Sequence, residues 1–257
     1  MLYGGGVPLA DLAARFGTPL YAYSADMIAA RYREVDQAFS GYPHTLHYAL
    51  KANSTLAIAR LVRGLGAAAD ANSGGEIEVA LRAGFTPEEI VFTGVGKSEA
   101  ELARAIELGL RSINAESEGE IERIDRIASA RETRARVAVR VNPDIDARSH
   151  PHISTGRKNN KFGVAIEDAR EMCLRMRDRQ GLRIVGLHSH VGSQITHLEP
   201  LQHAAEALAT LACELRRAGI LIEHLDIGGG LGIPYEGQAV PSAGRKMTLK
   251  NVLPPTS

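Results

Sequence analysis

Cysteine is scarce in this chain: Cys173 and Cys213 are the two among 257 residues, both within helix-like patterns and in no C-x-x-C arrangement. That argues against a disulfide framework and fits a reducing compartment, with core packing as the role of both. An excess of one charge is also missing. Thirty basic residues balance thirty acidic ones with no long single-sign block. Neither a nucleic-acid groove nor a polybasic membrane patch is expected, which leaves a small molecule as partner. No run reaches the ~18 apolar residues needed to span a bilayer, and the opening "MLYGGGVPLADLAARFG" lacks the basic-then-apolar order of a secretory leader. These absences predict a cytoplasmic globular protein. With 44% hydrophobic and 23% charged residues it has the means to bury a sizeable core.

What is present is alternation. Strand-like runs occur at "HTLHYAL", "GAAADAN", "EIVFTGV", "RSINAES", "RVAVRVN", "RIVGLHSHV" and "IEHLDIG", with amphipathic segments such as "STLAIARLVRGLG" and "LQHAAEALATLACELRRAG" between them. Gly64, Gly66, Gly84, Gly109 and Gly219 fall at or just past the ends of helical patterns, as helix C-termini prefer. Seven βα-type units predict a parallel α/β fold, either a (β/α)8 barrel or a doubly wound sheet. The barrel is favoured because the unusual residues gather just after several different strands, where barrels build their sites. The connection from Asp144 to Gly163 is too long and polar for a plain helix, and it reads as a functional loop.

Four groups of residues stand at predicted strand ends. In "LHYALKAN" an apolar strand runs into Lys51; an amine there can be desolvated, its pKa pulled below about 10.4, and so become a nucleophile, although an ordinary exposed lysine is the alternative. In "DANSGGE", Asp70 to Glu76, small residues lead into a helix, or Ser73 simply caps it with support from Glu76. In "HSHVGSQ", strand alternation turns His188 and His190 to the same side. They could ligate a metal, stack on an aromatic ring, or be hydrogen-bonded core histidines. In "DIGGGLG" three glycines allow backbone N–H groups to converge on an anion, or form a mere turn; the G-x-G-x-x-G dinucleotide spacing is absent. A strand-end lysine, a glycine cradle and a ring-stacking histidine together specify pyridoxal 5′-phosphate better than zinc. Zinc would need further ligands, and His150 and His152 fall in the long loop while His197 and His203 fall in or beside a helix, so no metal is expected.

In order, "YALKAN", "DANSGGE", "VAVRVNPDIDA", "HISTGRKNNKFG", "GLHSHVGSQ" and "LDIGGGLGIPY" resemble the barrel domain of the fold-type III pyridoxal-phosphate decarboxylases. The resemblance runs from about Pro8 to Pro241, and Ser193 with the "STG" at Ser154 to Gly156 looks more like the diaminopimelate branch than the ornithine branch. It implies an alanine-racemase-like TIM-type barrel over residues 26–241, preceded by an N-terminal segment over residues 1–25. It implies Lys51 as the Schiff-base lysine and His190 stacked on the pyridine ring. Ser193, Gly228, Gly229 and Gly230 would lie on the phosphate, Asp70 and Arg140 around the cofactor, and the "KFG" at Lys161 to Gly163 near the site. The implied activity is decarboxylation of meso-2,6-diaminopimelate to L-lysine, with an amino-acid substrate and a homodimeric partner. A non-catalytic pyridoxal-phosphate-binding barrel and a metal-dependent barrel hydrolase built on His188 and His190 are the alternatives. The family's E-P-G-R strand and its C-E-S-G-D domain have no counterpart here, and residues 242–257 read as an unrelated tail. The expectation is a barrel of about seven units, with exposed sheet edges, poor stability and impaired catalysis.

Overall fold

The computed structural model describes residues 2–145 and 162–233. Seven parallel strands form its frame: β1 (His47–Ala49), β2 (Ala68–Ala71), β3 (Ile90–Phe92), β4 (Ser112–Ala115), β5 (Ala135–Asn142), β6 (Leu182–His188) and β7 (His224–Asp226). Each pairs with the next in chain order. They coincide with the seven strand-like runs of the sequence. The helices are α1 (Leu9–Phe16) and α2 (Ala25–Ala38) ahead of β1, then α3 (Leu56–Gly64), α4 (Gly74–Ala83), α5 (Glu99–Leu108), α6 (Glu118–Ser129), α7 (Ile166–Met176) and α8 (Glu199–Arg217) between successive strands. A two-residue strand, Val164–Ala165, pairs with the end of β5.

The sheet is curled. Asn114 on β4 donates to Asp226 on β7 at 3.2 Å, so strands three places apart in the sheet meet across its concave face. Among the described residues β1 and β7 are the sheet's two ends, which gives a seven-stranded partial barrel. The residues expected to follow in "GIPYEGQAVPSA" and the tail lie, from 234 onward, outside the described residues.

Strand parity sorts the side chains. Ala69 and Ala71, Ile90 and Phe92, Ile113 and Ala115, Val137 and Val139, and Leu187 belong to the apolar core with Ile77, Leu102, Ile121 and Met172 of the helices. Alternate positions carry Asp70, Asn114, Arg140, His188 and Asp226. Between β5 and β6 the register slips by one: Val137 faces Ile184 but Ala138 faces Gly186, leaving Val185 as an extra residue on β6. Beyond that bulge Arg140 pairs with His188, which in turn pairs with Asp226.

The βα turns share one device. The hydroxyls of Ser73, Ser98 and Ser117 accept from the N–H groups of Glu76, Glu101 and Glu120. The carboxylates reach back, Glu76 to the Asn72 N–H at 2.7 Å and Glu101 to the Ser98 N–H at 2.9 Å. Ser73 and Glu76 are therefore helix-capping residues. Gly84 and Gly109 end α4 and α5 in the left-handed conformation that favours glycine. Cys173 is buried in the core and Cys213 is half-buried. Large apolar side chains remain exposed mainly near the N-terminus, at Leu2, Tyr3, Phe16, Tyr21, Tyr23 and Met27. No helix among the described residues is long and apolar enough to cross a membrane.

Candidate active site

The strands' C-terminal ends bring the singled-out residues to one rim. Lys51 leaves β1 in a single 3-10 turn, Leu50–Ala52, with Leu50 wholly buried beneath it. The expected desolvation of this lysine is not found: Lys51 is exposed, because β1 is an end strand of the sheet with no strand neighbour on one side among the described residues. Its charge still acts on Asp70 and His190.

A second lysine at a strand end contrasts with it. Lys97, beyond β3, is buried, and its Nζ donates to Gly94 O at 2.6 Å, Asn114 O at 2.8 Å and Glu120 Oε1 at 2.7 Å. Burial pulls its pKa down while Glu120 pushes it up. All three of its donor positions are engaged, which ties the amine to structure and leaves Lys51 as the open one.

Burial pushes the Asp70 carboxyl up to about 6, with the Asp226 charge adding to the shift and Thr93 and Lys51 opposing it. The Oδ1 atom of Asp70 is buried without a hydrogen-bond partner. Arg140 is buried and gives Nη1 to both oxygens of Glu116, at 2.7 and 2.9 Å. The Phe162 ring lies 5.4 Å from the guanidinium carbon, so the two described residues of the "KFG" stretch, Phe162 and Gly163, do pack at this rim. Lys161 and the "STG" at 154–156 lie outside the described residues.

His188 is buried, its Nε2 3.9 Å from Asp226 Oδ2 and its Nδ1 without a partner. His190 is half-buried at the mouth, where the Gly229 N–H approaches its Nδ1 at 3.5 Å. Burial, with the charges of Arg140, His188 and Lys51, brings the His190 pKa down to about 4. The ring is neutral at neutral pH. Burial alone would raise Asp226, yet His188, the Gly228 N–H and His47 bring it below its ordinary value. Among the described residues no group of three or more His, Cys, Asp or Glu is placed to hold a metal ion.

The glycine turn departs from expectation in one respect. Three N–H groups were expected to converge on an anion, but that of Gly228 is engaged by Asp226 Oδ1 at 2.9 Å, because the positive φ of 71° folds the turn back on its own aspartate. Close approach is the stronger requirement here. A Cβ at Gly228 would lie 2.3 Å from Ser189 O, and one at Gly230 only 2.0 Å from Gly192 O, so the turn is pressed against the loop that carries half-buried Ser193. Ile195 N–H donates to Gly230 O at 2.8 Å, and the Gln194 amide exchanges two 3.3 Å bonds with the backbone of Ile233. These bonds lock the two loops together.

The residues present fit pyridoxal phosphate. The open amine of Lys51, the neutral imidazole of His190, the tight glycine turn and the partnerless buried atoms Asp70 Oδ1, His188 Nδ1 and Ser189 Oγ all belong to the C-terminal ends of β1, β2, β6 and β7. Glu116, Asn114, Asp226 and Lys97 escaped the sequence reading as site residues. The available signal was position: each is polar and sits in, or one to five residues past, a strand with apolar residues at alternate positions.

Acid should weaken this fold. His190 and His224, both brought to about 4 mainly by burial, resist protonation when folded, so stability present above about 6.5 is lost as the pH falls towards 4. Asp70, raised to about 6, works the other way by gaining stability over the same fall. At roughly 3 kcal/mol per group the histidines outweigh it. Urea midpoints are expected to drop between pH 7 and pH 4.5, and to drop more steeply in Asp70→Asn; an unchanged midpoint in both proteins would refute this.

A curled parallel βα barrel with an open lysine beyond its first strand, a neutral histidine beyond its sixth and a pressed glycine turn beyond its seventh defines a cofactor-holding barrel of the pyridoxal-phosphate type. The family described as "Pyridoxal-dependent decarboxylase, pyridoxal binding domain" matches residues 25–252, and the chain belongs to it. It is 46% identical over 243 residues to diaminopimelate decarboxylase of Pseudomonas aeruginosa, covering 95% of this chain and 59% of that protein. The structure of diaminopimelate decarboxylase from Helicobacter pylori complexed with L-lysine superposes with a TM-score of 0.89 at 41% identity, over 92% of this chain and 60% of that one. For diaminopimelate decarboxylase from M. jannaschii in co-complex with L-lysine the TM-score is 0.85 at 37% identity, over 93% and 57%. The chain thus spans about three-fifths of the length of these relatives.

Proposed function

We propose that this chain holds pyridoxal 5′-phosphate covalently through Lys51 and serves the decarboxylation of meso-2,6-diaminopimelate to L-lysine and CO2. The observation that carries the reading is the contrast of two strand-end lysines: Lys97 has every donor engaged, whereas the Lys51 amine is exposed and its charge acts on Asp70 and His190. Likeness to diaminopimelate decarboxylases supports the substrate, and the family membership supports the cofactor.

When bound, the cofactor supplies an electron sink that takes up the pair left on Cα as the bond to the departing carboxylate breaks. The chain's own residues do the rest. His190, uncharged and steadied by the Gly229 N–H on Nδ1, would offer a flat face to the ring. Gly230, with Ser193 on the adjoining loop, would hold the phosphate, while Gly228 and Gly229, their N–H groups turned to Asp226 and His190, would shape the turn around it. Arg140 supplies a fixed cation and Asp70 a carboxyl able to hold a proton near neutrality. The exposed Lys51 amine would hold the cofactor, and when free its Nζ could carry a proton. A homodimer is the assembly this reading favours, with the remaining substrate contacts coming from the partner subunit.

The test is to add pyridoxal phosphate to the purified chain, reduce with borohydride and map the modified peptide by mass. Modification confined to the peptide bearing Lys51, and at background in Lys51→Ala, is expected; modification at Lys97 or scattered over surface lysines would overturn the reading. CO2 release from diaminopimelate then separates decarboxylation from cofactor binding alone.

A further inference from the structure

Four charged side chains are buried in a continuous set beneath the rim. Lys97 and Glu120 have side chains 1% and 3% exposed, Arg140 and Glu116 9% and 7%. Lys97 Nζ donates to Glu120 Oε1 at 2.7 Å. Glu120 Oε2 accepts the Glu116 backbone N–H at 3.2 Å. Glu116 then takes Arg140 Nη1 through both of its oxygens. The members come from the ends of β3, β4 and β5 and from the first turn of α6.

Two cations and two anions cancel, which is the condition under which buried charge is tolerated. Of the four, Arg140 is the one whose charge acts on both His188 and His190. Its guanidinium faces Phe162, and its carbonyl is approached by Gly163 so closely that a Cβ there would lie 2.9 Å away. Glu116 takes Arg140 through Nη1 and lines a cavity together with Gly163 and Val164. Glu120 and Lys97 in turn hold the backbone of Glu116.

We propose that Glu116 is a positioning residue that acts on the cofactor through Arg140, and that the Lys97–Glu120 pair is the brace that keeps Glu116 in place. This rests on the reading that Arg140 borders bound pyridoxal phosphate. Glu116 itself has no need to touch the cofactor: by engaging Nη1 of the guanidinium it decides where the remaining N–H groups and the positive charge are directed. Without it the arginine would be a buried cation with no counter-ion, free to swing towards His188 and Asp226.

The test is a double-mutant cycle on cofactor affinity with Glu116→Gln, Arg140→Met and the two combined, and Glu116→Asp as the conservative variant. The double variant removes both charges together, so it keeps the cycle readable if Glu116→Gln alone folds poorly. Glu116→Gln is expected to weaken uptake of pyridoxal phosphate roughly tenfold and to move the pH at which the bound cofactor's visible band titrates. Glu116→Asp should recover most of the loss. In the Arg140→Met background Glu116→Gln should change neither quantity. Losses that multiply across the cycle, or a Glu116→Gln protein that binds like the unsubstituted chain, would overturn the proposal.

If the unsubstituted chain takes up no cofactor at all, the proposed function fails and the positioning is decided on the cofactor-free protein by NMR. There the imidazole of His190 faces Arg140, His188, Lys51 and Asp226. Its titration must shift on Glu116→Gln when Arg140 is present and stay fixed when Arg140 is methionine. A shift in both backgrounds, or in neither, overturns the coupling.

Discussion

Gly230→Ala is expected to reduce pyridoxal phosphate binding by on the order of a hundredfold, whereas Gly229→Ala, one residue away, should bind nearly as the unsubstituted chain does. The two differ in geometry. At Gly230 the φ of 104° lies in the region L-residues avoid, and a Cβ would stand 2.0 Å from Gly192 O, deep inside van der Waals contact. The neighbour is backbone and cannot rotate away. The turn would have to lift off the Ser193 loop, stretching the 2.8 Å bond from Ile195 N–H to Gly230 O. A Cβ at Gly229 meets nothing within 4 Å. Titration with pyridoxal phosphate, followed by absorbance, compares the three proteins. Equal affinities for the two alanine variants would mean that close packing of the turn on the Ser193 loop has no part in binding.

Lys97→Met should destabilise the fold by about 3–5 kcal/mol, the range for breaking a buried ion pair by removing one partner. The loss is large because Glu120 would keep a charge in surroundings from which its side chain is almost wholly screened, at 3% exposure. Gly94 O and Asn114 O would lose a donor as well. Replacing Glu120 by methionine in the same protein is expected to return a good part of the stability, since no lone charge is then left inside. Urea denaturation of both variants decides the matter. A Lys97→Met midpoint equal to that of the unsubstituted chain would show that the pair contributes nothing net.

The strands were legible because each lies in a short run of apolar or β-branched residues closed by a turn residue; the parity of their polar positions, which divides core from site, was read at His188 and His190 alone. "HLD" and "SINAE" carry that division in five residues or fewer. Helix ends were equally legible through Gly84, Gly109 and Ser73, whose local hydrogen bonding is settled within a few residues. The ion pairs were not. Glu116 and Arg140 are 24 residues apart, Lys97 and Glu120 are 23 apart, and each pair joins different βα units, so only the closing of the sheet brings them together. The choice between a desolvated and an exposed Lys51 was left open for a related reason: exposure depends on β1 being an end strand among the described residues, which the residues around it do not encode.

The extra residue on β6 works as a phase shifter for the whole site. Counting straight up from Val137 opposite Ile184, Arg140 would meet Leu187, an apolar residue whose side chain belongs to the core. Slipping by one at Val185 brings His188 level with Arg140 instead, and the same offset carries through to Asp226 on the last strand. A single inserted residue, several positions upstream of any group that would touch a cofactor, thus decides whether the arginine, the histidine and the aspartate share one row. The chemistry at the rim inherits its alignment from an irregularity in the wall below it.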